Sequence, residues 1–131
     1  MRRALLWALP VGYMVALFVV SSVPGTEMPG HFWDKAEHFL AYAWLGMLFL
    51  IPVTDARLDR LNARAALKAV LFATLYGAFD EIHQAFTPDR FPDLHDLLAD
   101  GLGASLGVVV ALLVAAVWKR VRRGERSSGE I

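Results

Sequence analysis

Four apolar runs, each near the length that crosses a lipid bilayer, constrain this chain more than any other feature. They cover residues 4–23, 36–53, 65–86 and 94–118. A helix rises about 1.5 Å per residue and the hydrocarbon layer is about 30 Å thick, so about 20 residues span it. The strictly apolar part of the second, 39–53, reaches that length only by borrowing the polar Asp34–His38 at its start. The reading is an all-α integral membrane four-helix bundle, one domain over residues 1–121. The polar tail 122–131 carries Ser-Ser-Gly and is expected to be disordered. Hydrophobic residues make up 56% of the 131, above soluble domains, and they come in blocks rather than at amphipathic spacing. There is no cysteine, which excludes disulfides and thiolate chemistry.

The net charge of zero conceals an asymmetry. Arg2 and Arg3 precede the first run, and Arg57, Arg60, Arg64 and Lys68 follow the second. Lys119, Arg120, Arg122, Arg123 and Arg126 follow the fourth, so only Lys35 and Arg90 lie on the other side. The positive-inside rule places both termini in the cytoplasm and turns the loops 24–37 and 87–96 outward. A cleaved signal peptide is the rival for the first run, but an apolar stretch of about 20 residues exceeds the usual 7–15. The basic inner segments suit topology and anionic inner-leaflet lipid, and no nucleic-acid partner is expected.

Ionisable residues gather at the opposite end. Asp34 and His38 are four apart and share a helix face, as do Asp80 and Gln84, and Asp96 and Asp100. His83 falls on the Asp80 side of its helix, and Glu81 is rotated about 100° from Asp80. Three helices are thereby expected to bring acids, imidazoles and an amide to similar depth, with Arg90 in the loop above. Asp34, Asp93 and Asp96 sit near helix N-termini, where capping is a sufficient structural reason for a carboxylate. Asp80 and Glu81 fall near a C-terminus, where the dipole disfavours them, so they must be paired, protonated, hydrated or metal-bound. His31 is expected to be plain loop, and His83 and His95 are more readily solvated boundary residues than ligands. Gly103 and Gly107, with Ala99 a turn earlier, form a small-residue stripe suited to close helix contact, within the chain in preference to a dimer interface.

Asp34-Lys35-Ala36-Glu37-His38-Phe39, followed by Tyr42 and Leu45-Gly46, resembles the first signature of the VanZ-like membrane proteins. Asp80-Glu81-Ile82-His83-Gln84-Ala85-Phe86, then Pro88, Arg90, Asp96, Leu98-Ala99, Gly103 and Gly107, resembles the other signature of that family. The resemblance covers residues 30–108. Asp100 departs from it, since the family commonly has Asn there. The namesake is linked to resistance to the glycopeptide teicoplanin, which implies a cell-envelope role and the bacterial cytoplasmic membrane as location, with several passes.

Three functions fit these residues. The first is recognition of a lipid-linked or cell-wall-related polar ligand, such as an envelope glycolipid or wall precursor. Asp34, Lys35, His38, Tyr42, Asp80, Glu81, Gln84, Arg90, Asp96 and Asp100 would contact it, and Arg90 would clamp a phosphate or carboxylate. The second is a small intramembrane enzyme, with Asp80, Glu81 and His38 as candidate catalytic groups. A divalent metal is the cofactor it would use, with Asp34, His38, Asp80, Glu81, Asp96 and Asp100 as candidate ligands. No established metal signature is present. The third is a proton-coupled carrier, weakened because the cluster lies near one face rather than the midplane.

Overall fold

The computed structural model describes residues 2–24 and 31–128, the side chains of 31–34 and 125–128 excepted. The described residues form four long helices and no strand: α1 Arg2–Ser21, α2 His31–Val53, α3 Ala63–Gln84 and α4 Leu94–Ser128. Three are long and apolar enough to cross a membrane: α1, α2 from Lys35 to Val53, and α4 from Leu94 to Gly124. The third sequence run is long enough at 22 residues, but Arg64, Lys68, Asp80 and Glu81 within α3 keep it out of that class.

Two boundaries differ from the expected ones. His31 belongs to α2 rather than to a loop, because no helix-breaking residue follows Gly30 until Pro52. Residues 122–128 continue α4 rather than forming a disordered tail. Arg and Lys are good helix formers, and a helix already propagating extends through them at little cost.

Each buried face follows from residue size. On α3, Ala65, Ala69, Ala73 and Gly77 recur every four residues and are buried, with Glu81 next in the same row. Leu67, Leu71, Leu75, Phe79 and Ile82 project outward, forming the apolar surface that suits lipid. The core joins Tyr42, Leu45, Phe49 and Leu50 of α2 to Ala69, Ala73 and Tyr76 of α3 and Ala104 and Val108 of α4.

The most extensive contact is between α2 and α4. Gly103 and Gly107 of α4 lie against the backbone carbonyls of Phe39 and Ala43 of α2, and Gly46 answers from α2 against Ala104. The small-residue stripe therefore serves a contact within the chain. α1 lies on the side of α2 and α3, where the Tyr13 hydroxyl donates to the Ala41 carbonyl at 3.2 Å and the Tyr76 hydroxyl to that of Met14 at 2.6 Å.

The two ends of the bundle are chemically distinct. At one, α2 ends through Asp55 and Ala56, both at φ 55°, and Asp55 pairs with Arg3 and Arg60. Asn62 caps α3, its Oδ1 accepting from the backbone N–H groups of Arg64 and Ala65 at 3.0 and 3.1 Å. Lys119 of α4 donates to the Leu58 carbonyl there at 2.7 Å. These contacts unite the basic segments that follow α2, start α1 and end α4. The acids and histidines of the sequence motifs stand at the other end.

Candidate functional site

Contacts between elements assemble the acidic end. The 87–93 segment turns through Asp89 at φ 57° and is tied to α1 through Thr87 Oγ1, which donates to the Ser21 carbonyl at 3.4 Å. Asp93 is the residue before α4, and its Oδ1 accepts the His95 backbone N–H at 2.8 Å, so capping accounts for part of its role. Lys35 at the start of α2 reaches across to α4, with Nζ 2.7 Å from Asp93 Oδ2 and 2.9 Å from Asp96 Oδ1. Asp93 lies outside the membrane-spanning segments. Lys35 beside it, with help from the His95 backbone and ring, holds its carboxyl well below the ordinary carboxylate range.

Beneath that clasp, His38 Nδ1 of α2 is 2.9 Å from Asp100 Oδ1 of α4. Asp100 is wholly buried. Its second oxygen, Oδ2, has no hydrogen-bond partner and sits against Gly77 of α3, in space that a side chain there would fill. Glu81 Oε2 accepts the backbone N–H of Asp93 at 2.8 Å, fastening α3 to the start of α4. Its other oxygen is buried and unpartnered.

Asp80 faces a different side of α3. Its Oδ2 accepts from Gln84 Nε2 at 3.2 Å, and Gln84 Oε1 accepts from Arg90 Nη1 at 3.4 Å. Arg90 Nε also donates to the Val23 carbonyl at 3.3 Å, which sets the guanidinium over the cluster, as its loop position suggests. Asp80 Oδ1, Arg90 Nη2 and the Tyr42 hydroxyl are buried without partners. Leu17, Val20, Ser21, Glu37, His38, Ala41, Tyr42, Asp80, Gln84 and Arg90 line a cleft of about 70 Å³. That volume holds several waters or one small polar group, since a single water needs only about 10–15 Å³ by this measure.

Of the ligand-contacting residues expected from sequence, His38, Tyr42, Asp80, Gln84 and Arg90 line this cleft, and Glu81 and Asp100 stand beside His38. Lys35 and Asp96 form the clasp above it. The Asp34 side chain lies outside the described residues. Of the candidate metal ligands, His38, Glu81 and Asp100 converge, each offering one donor atom within 4.8 Å of the others. His83 turns away to α1, 2.9 Å from Ser22 Oγ and stacked on Phe18. His95 stays with Asp93 at the surface.

Two contributors escaped the sequence reading. Glu37 lines the cleft, and its only signal is a place in the first signature. Gly77 admits the Asp100 carboxylate, and its signal is the four-residue spacing to Glu81.

No curated protein and no solved structure gives a significant match to the chain. The family model described as VanZ/LLP1 matches residues 4–115, from the first turn of α1 well into α4. The signatures, the helical architecture and that match agree, and the chain belongs to the VanZ/LLP1 family.

Proposed function

We propose that this is a multi-pass protein of the bacterial cytoplasmic membrane whose outward cleft binds the polar head group of an envelope lipid or lipid-linked wall precursor. One observation carries the reading. Tyr42 Oη, Asp80 Oδ1, Glu81 Oε1, Arg90 Nη2 and Asp100 Oδ2 are all buried and all without partners, and they collect at one end of the bundle. An unsatisfied buried polar atom costs about 1–3 kcal/mol. Three of them, on Tyr42, Asp80 and Arg90, belong to residues that line the cleft, and such a set is more easily retained for a ligand than for stability.

The chemistry of the set favours a mixed ligand. Arg90 offers a free N–H to phosphate or carboxylate oxygen. Asp80 accepts from hydroxyl or amine, and Tyr42 can do either. The basic end, with Arg3, Arg57, Arg60 and Lys119, faces the cytoplasm by the positive-inside rule, which turns the cleft outward. Family membership is consistent with a part in glycopeptide resistance, because wall precursors are met on that side.

A second reading, transfer or hydrolysis at the bound head group, is favoured by the His38–Asp100 contact. A carboxylate that fixes one ring nitrogen orients the imidazole as a general base.

Thermal unfolding of the purified chain in detergent tests the binding reading. The probes are undecaprenyl phosphate, phosphatidylglycerol and phosphatidylethanolamine, each with wild type and Arg90→Gln. A ligand at a hundredfold excess over its Kd stabilises the fold by about 2.7 kcal/mol. A shift with one phosphate-bearing probe that Arg90→Gln abolishes supports the reading. Equal shifts in both proteins, or none in either, overturn it.

A further inference from the structure

We infer that His38, Glu81 and Asp100 form a divalent-cation site beside the cleft, one ligand from each of α2, α3 and α4. The inference does not depend on the head-group reading, because the cation would bind the chain alone. Three observations carry it.

The donors converge. One atom from each residue lies within 4.8 Å of the other two. Metal–ligand bonds to nitrogen and oxygen are about 2.0–2.2 Å, so ligand atoms around one ion stand about 3–4 Å apart. Small side-chain adjustments bring this trio to that spacing, and helices rather than loops hold all three.

The oxygens are left open. Glu81 Oε1 and Asp100 Oδ2 have no hydrogen-bond partner, though Glu81 is 7% exposed and Asp100 0%. The other oxygen of each is already engaged, by the Asp93 N–H and by His38. Tyr42 Oη is a third open atom beside them, its ring stacked on His38 at 6.2 Å. It would hydrogen-bond a water carried by the ion.

The charge is unbalanced. Besides His38, which pairs with Asp100 when protonated, the described cations at this end are Lys35 and Arg90. Lys35 is engaged by Asp93 and Asp96, and Arg90 by the Gln84 side chain and the Val23 carbonyl. Neither pairs with Glu81 or Asp100. A protonated His38 would balance one of the two buried carboxylates, whereas one divalent ion supplies charge matching both. One imidazole and two carboxylates suit zinc or manganese, with magnesium the weaker fit.

The test is metal retention by the purified full-length chain, stripped with chelator and re-exposed to Zn²⁺, Mn²⁺ or Mg²⁺ without added lipid. After gel filtration, about one zinc or manganese per chain is expected. Glu81→Gln, Asp100→Asn and His38→Asn should each lower retention at least tenfold, while His95→Ala leaves it unchanged. No retained metal in wild type overturns the site. Retention unchanged in the three variants overturns it in favour of a surface site. If the variants do not fold, electron–nuclear double resonance of Mn²⁺-loaded wild type decides: one histidine nitrogen supports the site and none overturns it. Lipid-probe shifts that persist in chelated protein would leave the head-group reading standing whatever the metal result.

Discussion

Asp100 of α4 occupies the space that a side chain at Gly77 of α3 would need: a Cβ built there stands 2.6 Å from Asp100 Oδ2 and 3.1 Å from Asp100 Cβ. A buried carboxylate and a glycine on a neighbouring helix are thus one design. The glycine admits the acid, and His38 fixes the acid's other oxygen.

Gly77→Ala should therefore lower stability by about 1–3 kcal/mol, the usual cost of forcing extra volume into a filled core. The same change in an Asp100→Ala background should cost clearly less, because the clashing group is gone. Thermal unfolding of the four proteins in one detergent measures the coupling. Equal costs in both backgrounds would refute the pairing.

Gly107→Ala should cost more, about 3 kcal/mol or above. There the added Cβ would meet the Ala43 backbone, with the carbonyl carbon 2.7 Å away, and a backbone cannot rotate aside. Gly103→Ala faces Phe39 in the same way. Gly12→Ala is the control: nothing lies within 4 Å, so replacing a mid-helix glycine should stabilise α1 by about 0.5–1 kcal/mol.

Lys35→Met should destabilise the acidic end by about 1–3 kcal/mol, because it leaves the buried Asp96 carboxylate without its cation. Adding Asp96→Asn should recover most of the loss. A double-mutant cycle by chemical or thermal unfolding reads this directly, and additive losses would argue against the clasp.

The clasp also sets an acid limit. Lys35 and the His95 contacts lower the Asp93 pKa in the folded protein. A depressed carboxyl contributes stability above its unfolded pKa of about 3.9 and loses it as pH falls below that value. Unfolding temperature should be insensitive to Asp93 ionisation from pH 7 to about 5. Below about pH 4 wild type should drop more steeply than Asp93→Asn, and parallel acid limbs would contradict this.

Glu81→Gln should leave the ligand-free protein as stable as wild type or more so. Gln keeps an acceptor for the Asp93 N–H and removes a buried charge whose second oxygen is unpartnered. Glu81→Ala should be less stable, because it strands that N–H. Comparing the three unfolding temperatures separates the charge from the hydrogen bond.

Much of this architecture is legible in the chain itself. Bilayer length and apolar character mark out the helices, because backbone groups in lipid must be satisfied within a segment. Charge sorting separates the basic end from the acidic one, and the structure unites the basic segments through Arg3–Asp55 and Lys119–Leu58. Helical spacing puts Asp80 and Gln84 on one face, and they are hydrogen-bonded. The stripe of Gly103 and Gly107 announces a close approach, since only small residues let two backbones meet.

What spacing within one helix cannot encode is the rotation of that helix against its neighbours. That rotation gave Lys35 to Asp93 and Asp96, His38 to Asp100, and His83 to Ser22 rather than to the acids. It also sent Asp80 and Glu81, adjacent in sequence, to different partners. The sequence by itself determined which residues reach the acidic end, through helix rise and apolar length. Tertiary packing alone decided which of them face one another, because the turn of each helix is set by the volumes that fit between them.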